Sequence, residues 1–173
     1  MRVASWLLSL SLTFAAALPA SAADWHLRFD GIGPVHVGMD FAHANAALGG
    51  VLRATPAALR PTASCDQLPV VDHPGVALMF VDDVLERIDV FQPGVASGAG
   101  VTVGAPVSAV AAAYPDLARE ANAYDDREQY LTVLAPARTG SASLAMRFET
   151  HQGLVGLMTA GHLKAVRYIE GCL

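Results

Sequence analysis

Apolar and polar positions along the chain fall into three patterns: one unbroken apolar run at the start, and afterwards helical and strand periodicities that alternate twice. The first run, Val3 to Leu18, follows the single charge of Arg2 and precedes the small residues Pro19-Ala20-Ser21-Ala22-Ala23. That order of charge, apolar segment and small residues is what signal peptidase cleaves, so residues 1–23 are expected to be a signal peptide removed after Ala22 or Ala23. The run is shorter than the roughly 20 residues a spanning helix needs, and no later segment approaches that length, so no membrane span is expected.

Two later segments have helical spacing. Phe41, Ala44 and Leu48 fall on one face, with Asp40 placed to cap and Gly49-Gly50 to end the helix; Val107, Val110, Ala111 and Tyr114 make the second stripe, with Pro106 suited to the first turn and Pro115 ending it. A further helical turn is expected after each. Thr55 would cap and Pro56 open Ala57 to Arg60, and Asp116 would cap Leu117 to Ala121.

Strand-like sequence follows each helical part. Val76 to Val81, the turn Asp82-Asp83 and Leu85 to Phe91 read as one hairpin; Leu144 to Glu149, the turn His151-Gln152-Gly153 and Leu154 to Thr159 read as its counterpart. Phe80 then matches Phe148, and Leu85 matches Leu154. Further strands are expected at Trp25 to Phe29, Gln67 to Val71, Gln129 to Leu134 and Ala165 to Glu170.

These patterns belong to a weak internal repeat. Val35-His36-Val37-Gly38 through Leu48-Gly49 aligns without gaps on Val101-Thr102-Val103-Gly104 through Tyr114-Pro115, and the glycine-rich stretch Gly94 to Gly100 reads as the junction. The expected fold is α+β: two tandem repeats, 24–98 and 99–173, packed as one unit. Each is a helix-turn-helix followed by an antiparallel sheet, with the helices on one face and the other face open. Alternation then sends Leu131, Val133, Leu144, Met146 and Phe148 toward the helices, and Tyr130, Thr132, Ala145, Arg147 and Glu149 outward.

Charge narrows the choice of partner. The formal charge of −5 becomes one unit more negative once Arg2 is removed, and Lys164 is the only lysine, so nucleic acid and anionic lipid are poor partners. A lipid anchor would need a cysteine at the cleavage point, whereas the two cysteines are Cys65 and Cys172. In an oxidising compartment those two are expected to form one disulfide, and without a C-x-x-C spacing its role is structural.

A short strand, the segment Val37-Gly38-Met39-Asp40, a helix and a small antiparallel sheet, repeated in an exported chain, resemble the β-lactamase inhibitory protein fold. The stretch to Leu48-Gly49 is also similar to that of small outer-membrane assembly lipoproteins with one such repeat. The chain departs from them in lacking the lipoprotein cysteine and in having a bridge between repeats instead of one within each. The resemblance implies a non-catalytic protein-binding scaffold.

No nucleophile, metalloprotease or phosphate-loop motif occurs, so no catalytic residue is assigned and no cofactor is expected. The acidic run Asp82, Asp83, Glu86 and Asp89 lacks the ligand spacing of a calcium loop and reads as a solvated hairpin tip. Of the six histidines only His26 suggests a metal. If the mature chain starts at Asp24, its amine, two backbone amides and the His26 imidazole form a square-planar Cu(II) or Ni(II) site; cleavage after Ala22 spoils it. Tyr130, Arg147, Arg167, Arg87 and Asp89 are the candidates for a protein-binding surface, since tyrosine and arginine supply much of the energy in interfaces. The expectation is a periplasmic or secreted monomer, an inhibitor or envelope assembly factor, that binds another extracytoplasmic protein. The alternative is a small-molecule or metal-binding protein.

Overall fold

Antiparallel pairing organises the chain. The structure is a computed structural model describing residues 25–136 and 143–172; the expected signal peptide lies outside the described residues. A small meander opens it, β1 (Leu27–Arg28), β2 (Gly31–Ile32) and β3 (Val35–His36), leading into α1 (Phe41–Ala47). Then come β4 (Cys65–Pro69), β5 (Val76–Val81), β6 (Val84–Val90), α2 (Val107–Ala113), β7 (Ala118–Ala121), β8 (Gln129–Leu134), β9 (Leu144–His151), β10 (Leu154–His162) and α3 (Leu163–Val166). The main sheet runs β4-β5-β6-β10-β9-β8-β7, every neighbouring pair antiparallel. Strands from both halves of the sequence therefore meet in one α+β sheet, at the β6–β10 pair.

Local chemistry accounts for the two main helices and both hairpins. Asp40 has extended backbone and accepts from the His43 N–H at 2.8 Å, capping α1, while Pro106 takes the N-cap position of α2. Asp82 and Asp83 turn β5 into β6 with φ of 49° and 68°, and Gln152 and Gly153 turn β9 into β10 with 53° and 77°. Two successive left-handed residues are what a tight hairpin with properly twisted strands demands, and Asp and Gly reach that region most cheaply.

One arrangement occurs twice. The Gly38 N–H donates to Leu85 O, Leu85 N–H to Met39 O and Phe41 N–H to Asp83 O; likewise Gly104 donates to Val155, Val155 to Ala105 and Val107 to Gly153. Gly38 and Gly104 have φ of 93° and 89°, a left-handed conformation open to glycine. These bonds match Leu85 with Val155, one residue beyond the sequence match to Leu154.

Other expectations are corrected by tertiary pairing. The segment expected to continue as helix from Asp116 is β7, because Ala118 to Ala121 pair with Thr132 to Gln129 of β8. In the first half, Ala57–Leu59 is a single 3-10 turn with Pro56, not Thr55, at its N-cap; the Thr55 N–H donates to Asp66 Oδ2 instead. Neither half is thus a helix-turn-helix. Trp25 to Phe29 contributes only the two residues of β1, and Ala165 to Glu170 is not a strand: α3 begins directly after β10 and turns the chain back over the sheet.

The sheet has two covered faces. Ala44 of α1 and Val110 of α2 pack with Leu78, Phe80, Ile88, Leu131, Met146, Phe148 and Met158 in the main core. On the opposite face Ala165 of α3 packs with Met79 and the bonded Cys65–Cys172 pair. The helices therefore do not all lie on one face. The disulfide spans a sequence separation of 107, and in the chain-entropy model closure of a loop near that length contributes about 4–5 kcal/mol.

Glycine makes the central pair fit. Gly161 of β10 lies opposite Arg87 of β6, and a Cβ there would sit 2.2 Å from Glu86 O on a backbone with φ of +147°. Gly161→Ala is expected to force the strands apart and destabilise the fold by about 1–3 kcal/mol or more, seen as a lower urea midpoint. An unchanged midpoint would show that the β6–β10 spacing is not constrained there. Because each half has only part of this core, fragments 24–98 and 99–173 expressed separately are expected to lack the parent's cooperative melt. Sharp melting of each at the parent temperature would establish two autonomous units.

Candidate functional site

The five candidates for a protein-binding surface divide into two groups. Alternation does carry all of Arg87, Asp89, Tyr130 and Arg147 away from the main core, but the C-terminal segment covers part of that face. Arg87 and Asp89 are 5% and 2% exposed. Arg87 Nε and Nη2 donate to Asp89 Oδ2 at 3.2 and 3.0 Å, and its Nη1 donates to Ala165 O at 3.2 Å and Tyr168 O at 2.9 Å. Gln67 and Thr159 complete the shell of Asp89 at 2.6 and 3.0 Å. This is a buried clasp that holds the C-terminal segment down, so the two residues present nothing to a partner.

Leu85, Arg87 and Phe91 are all odd-numbered, so simple alternation leaves open which of them is buried. The register resolves it: Leu85 pairs with Phe80 and Arg87 with Met79, leaving Glu86 as an extra residue in β6. That bulge turns Leu85 into the main core and Arg87 to the opposite face.

Tyr130, Arg147 and Arg167 do converge. The Arg147 guanidinium lies 4.5 Å above the Tyr130 ring, donates from Nε to Thr132 Oγ1 at 3.2 Å and from Nη2 to Glu120 Oε2 at 2.9 Å. Arg167 reaches the other Glu120 oxygen at 4.0 Å. Burial pushes the Arg147 pKa down, and Glu120 opposes that shift. Tyr130 and Arg147 are themselves buried; Arg167 and Glu120 supply the solvent-facing part of the group.

Glu86 Oε2 bonds His162 Nδ1 at 2.6 Å, whereas Asp82 and Asp83 form the hairpin tip, so the acidic run does not converge. The His73 ring stacks on Trp25 with centroids 3.2 Å apart, and burial pushes its pKa down. His26 is exposed, but Asp24, which the square-planar chelate requires, lies outside the described residues. Among the described residues no group of three or more His, Cys, Asp or Glu side chains could hold a metal ion.

A concave surface forms where sequence patterns pointed to none. A cleft of about 470 Å³ is lined by Leu27, Arg28, Phe29, Asp30, Gly98, Ala99, Tyr114, Ala135, Pro136, Leu144 and Met146. The first meander, the 98–99 bend, the end of α2 and the facing ends of β8 and β9 each supply one side. Tyr114 anchors its interior: the hydroxyl donates to Ser97 Oγ at 3.0 Å and contacts Met146 Sδ at 3.7 Å, and the ring meets Phe29 edge-on with centroids 6.5 Å apart. Arg28 and Asp30 form the polar part, 34% and 49% exposed. One signal was available. The internal alignment places Tyr114 opposite Leu48, so the second helix carries a hydroxyl where the first is wholly apolar.

Neither protein-family models nor curated proteins match the chain. Among solved structures it is similar to the uncharacterized protein YfeY from Escherichia coli, at 15% identity and a TM-score of 0.50, over 79% of this chain and 99% of that one. The likeness concerns the fold.

The clasp has a measurable consequence. Arg87→Ala removes the cation from a buried pair and is expected to cost about 3–5 kcal/mol, whereas the double replacement Arg87→Met with Asp89→Leu should cost markedly less. Urea denaturation distinguishes them; equal losses would mean that the charge pair is not what the single variant disrupts.

Proposed function

We propose that this chain is an extracytoplasmic, non-catalytic binding module that holds a protein partner at the cleft around Tyr114 and Met146, and that its halves are tandem copies of one unit. The observation that carries the binding reading is the cleft itself: a cavity of about 470 Å³ with aliphatic and aromatic walls and one ion pair. Recognition sites are characteristically concave and apolar with a few placed polar groups. Of the candidates on the opposite face, Arg87, Asp89, Tyr130 and Arg147 are buried and bonded within the chain, and Arg167 alone is exposed. The repeated bonds of Gly38 and Gly104 support the tandem unit. The leader pattern and the Cys65–Cys172 bond support export to an oxidising compartment. An inhibitor or an envelope assembly factor would both fit such a module.

Site-specific photo-crosslinking in exporting cells tests the location. A photoreactive residue replacing Ala99 at the cleft wall is expected to give a discrete protein adduct, while the same residue at exposed Leu59 or Val71 is not. Adducts of equal yield from all three positions, or none from Ala99, would remove the cleft as the binding site.

A further inference from the structure

Resting on the binding reading above, we infer that the cleft is a socket for one apolar side chain of an extended peptide segment, with Arg28 and Asp30 engaging the main chain beside that side chain. The walls select the side chain. Phe29, Tyr114, Leu144 and Pro136 offer aliphatic carbon and aromatic rings at the cleft surface, over the buried Leu27 and Met146. The space, about 470 Å³, lies at the lower end of ligand-site volumes and suits one large side chain with its flanking backbone better than a bulky cofactor.

The polar pair selects what stands beside it. Arg28 Nε donates to Asp30 Oδ1 at 3.4 Å and Nη2 to Gly33 O at 3.3 Å, both beyond the 2.7–3.2 Å range usual for N–H···O bonds. Asp30 Oδ2 lies 3.9 Å from His36 Nδ1. A guanidinium carries five N–H donors and a carboxylate about four acceptor sites, so this loosely joined, half-exposed pair keeps both donor and acceptor capacity at the cleft. A free carboxylate on the ligand would gain Arg28 but face Asp30; an ammonium would gain Asp30 but face Arg28. A peptide group is neutral and presents one C=O and one N–H, so it uses both side chains without repulsion from either. That complementarity favours a segment of polypeptide over a charged small molecule.

The test uses the disulfide-bonded protein beginning at residue 24, with methyl NMR reporting on Leu27, Leu144 and Met146. The probes are end-blocked pentapeptides, Ac-Ser-Thr-X-Thr-Ser-NH2, with X as Phe, Leu or Ser, and 4-phenylbutyrate as an apolar carboxylate. The Phe and Leu peptides are expected to shift the three residues saturably, with the Ser peptide at least about tenfold weaker. Arg28→Gln and Asp30→Asn are each expected to weaken the Phe peptide by about tenfold, equivalent to about 1.4 kcal/mol. Asp30→Asn should instead strengthen phenylbutyrate. Unchanged thermal unfolding of both variants shows that they remain folded.

Tighter binding of phenylbutyrate than of the Phe peptide to the unaltered protein would overturn the socket and assign the cleft to anionic small molecules. Peptide affinity indifferent to Asp30→Asn would overturn the main-chain clamp. If no peptide binds while the Ala99 crosslink still forms, the socket fails and the binding module stands. If both are absent, both fail.

Discussion

The antiparallel pairing of β6 with β10 is the constraint on which the other features depend. It is the one place where strands from the two halves meet in the main sheet, and it tolerates no side chain at Gly161 because Glu86 O occupies that space. Since β6 and β10 continue into hairpins with β5 and β9, their spacing fixes the positions of four central strands at once. Met158 of β10 opposite Val90, and Ala160 opposite Ile88, join the apolar surface of the two halves into one core.

The Glu86 bulge adds a second consequence. An uninterrupted strand would place Leu85 and Arg87 on the same face, burying a guanidinium in the main core or exposing a leucine. With one extra residue the strand satisfies both, and Arg87 meets the Asp89 carboxylate and the backbone oxygens of Ala165 and Tyr168. A desolvated ion pair adds little net stability against an apolar replacement, yet loss of one partner is costly. The clasp, with the Cys65–Cys172 bond beyond it, therefore fixes the path of the C-terminal segment more than it deepens the fold's stability. It also covers that part of the sheet.

The proposed site lies where the two halves differ. Leu48 after α1 is apolar throughout, but Tyr114 after α2 brings a hydroxyl that Ser97 satisfies, with Phe29 and Met146 against it. Around that residue, segments remote in sequence leave a concavity that regular strand pairing would have filled. A rigid sheet floor, an apolar lining and a loosely joined Arg28–Asp30 pair fit a site that recognises a neutral segment of chain, and the proposed socket gives those features one shared role.

Features set by neighbours in sequence were legible in the amino-acid order. Asp40 before an apolar stripe, Pro106 at the start of the second helix, and the turn pairs Asp82-Asp83 and Gln152-Gly153 each act within a few residues, so α1, α2 and both central hairpins could be placed. Two cysteines behind an expected signal peptide likewise left one pairing. Whether Ala118 to Ala121 became helix or strand could not be read locally, because the open edge of β8 stabilises a strand that propensity alone does not favour. The same holds for α3, for the bulge that decided which face Arg87 occupies, and for the cleft, whose walls come from residues more than a hundred positions apart. Side-chain period reports which residues share a face; only the pairing of distant strands decides what covers that face, and here it buried Arg87, Asp89, Tyr130 and Arg147, left Arg167 exposed, and opened a cleft elsewhere.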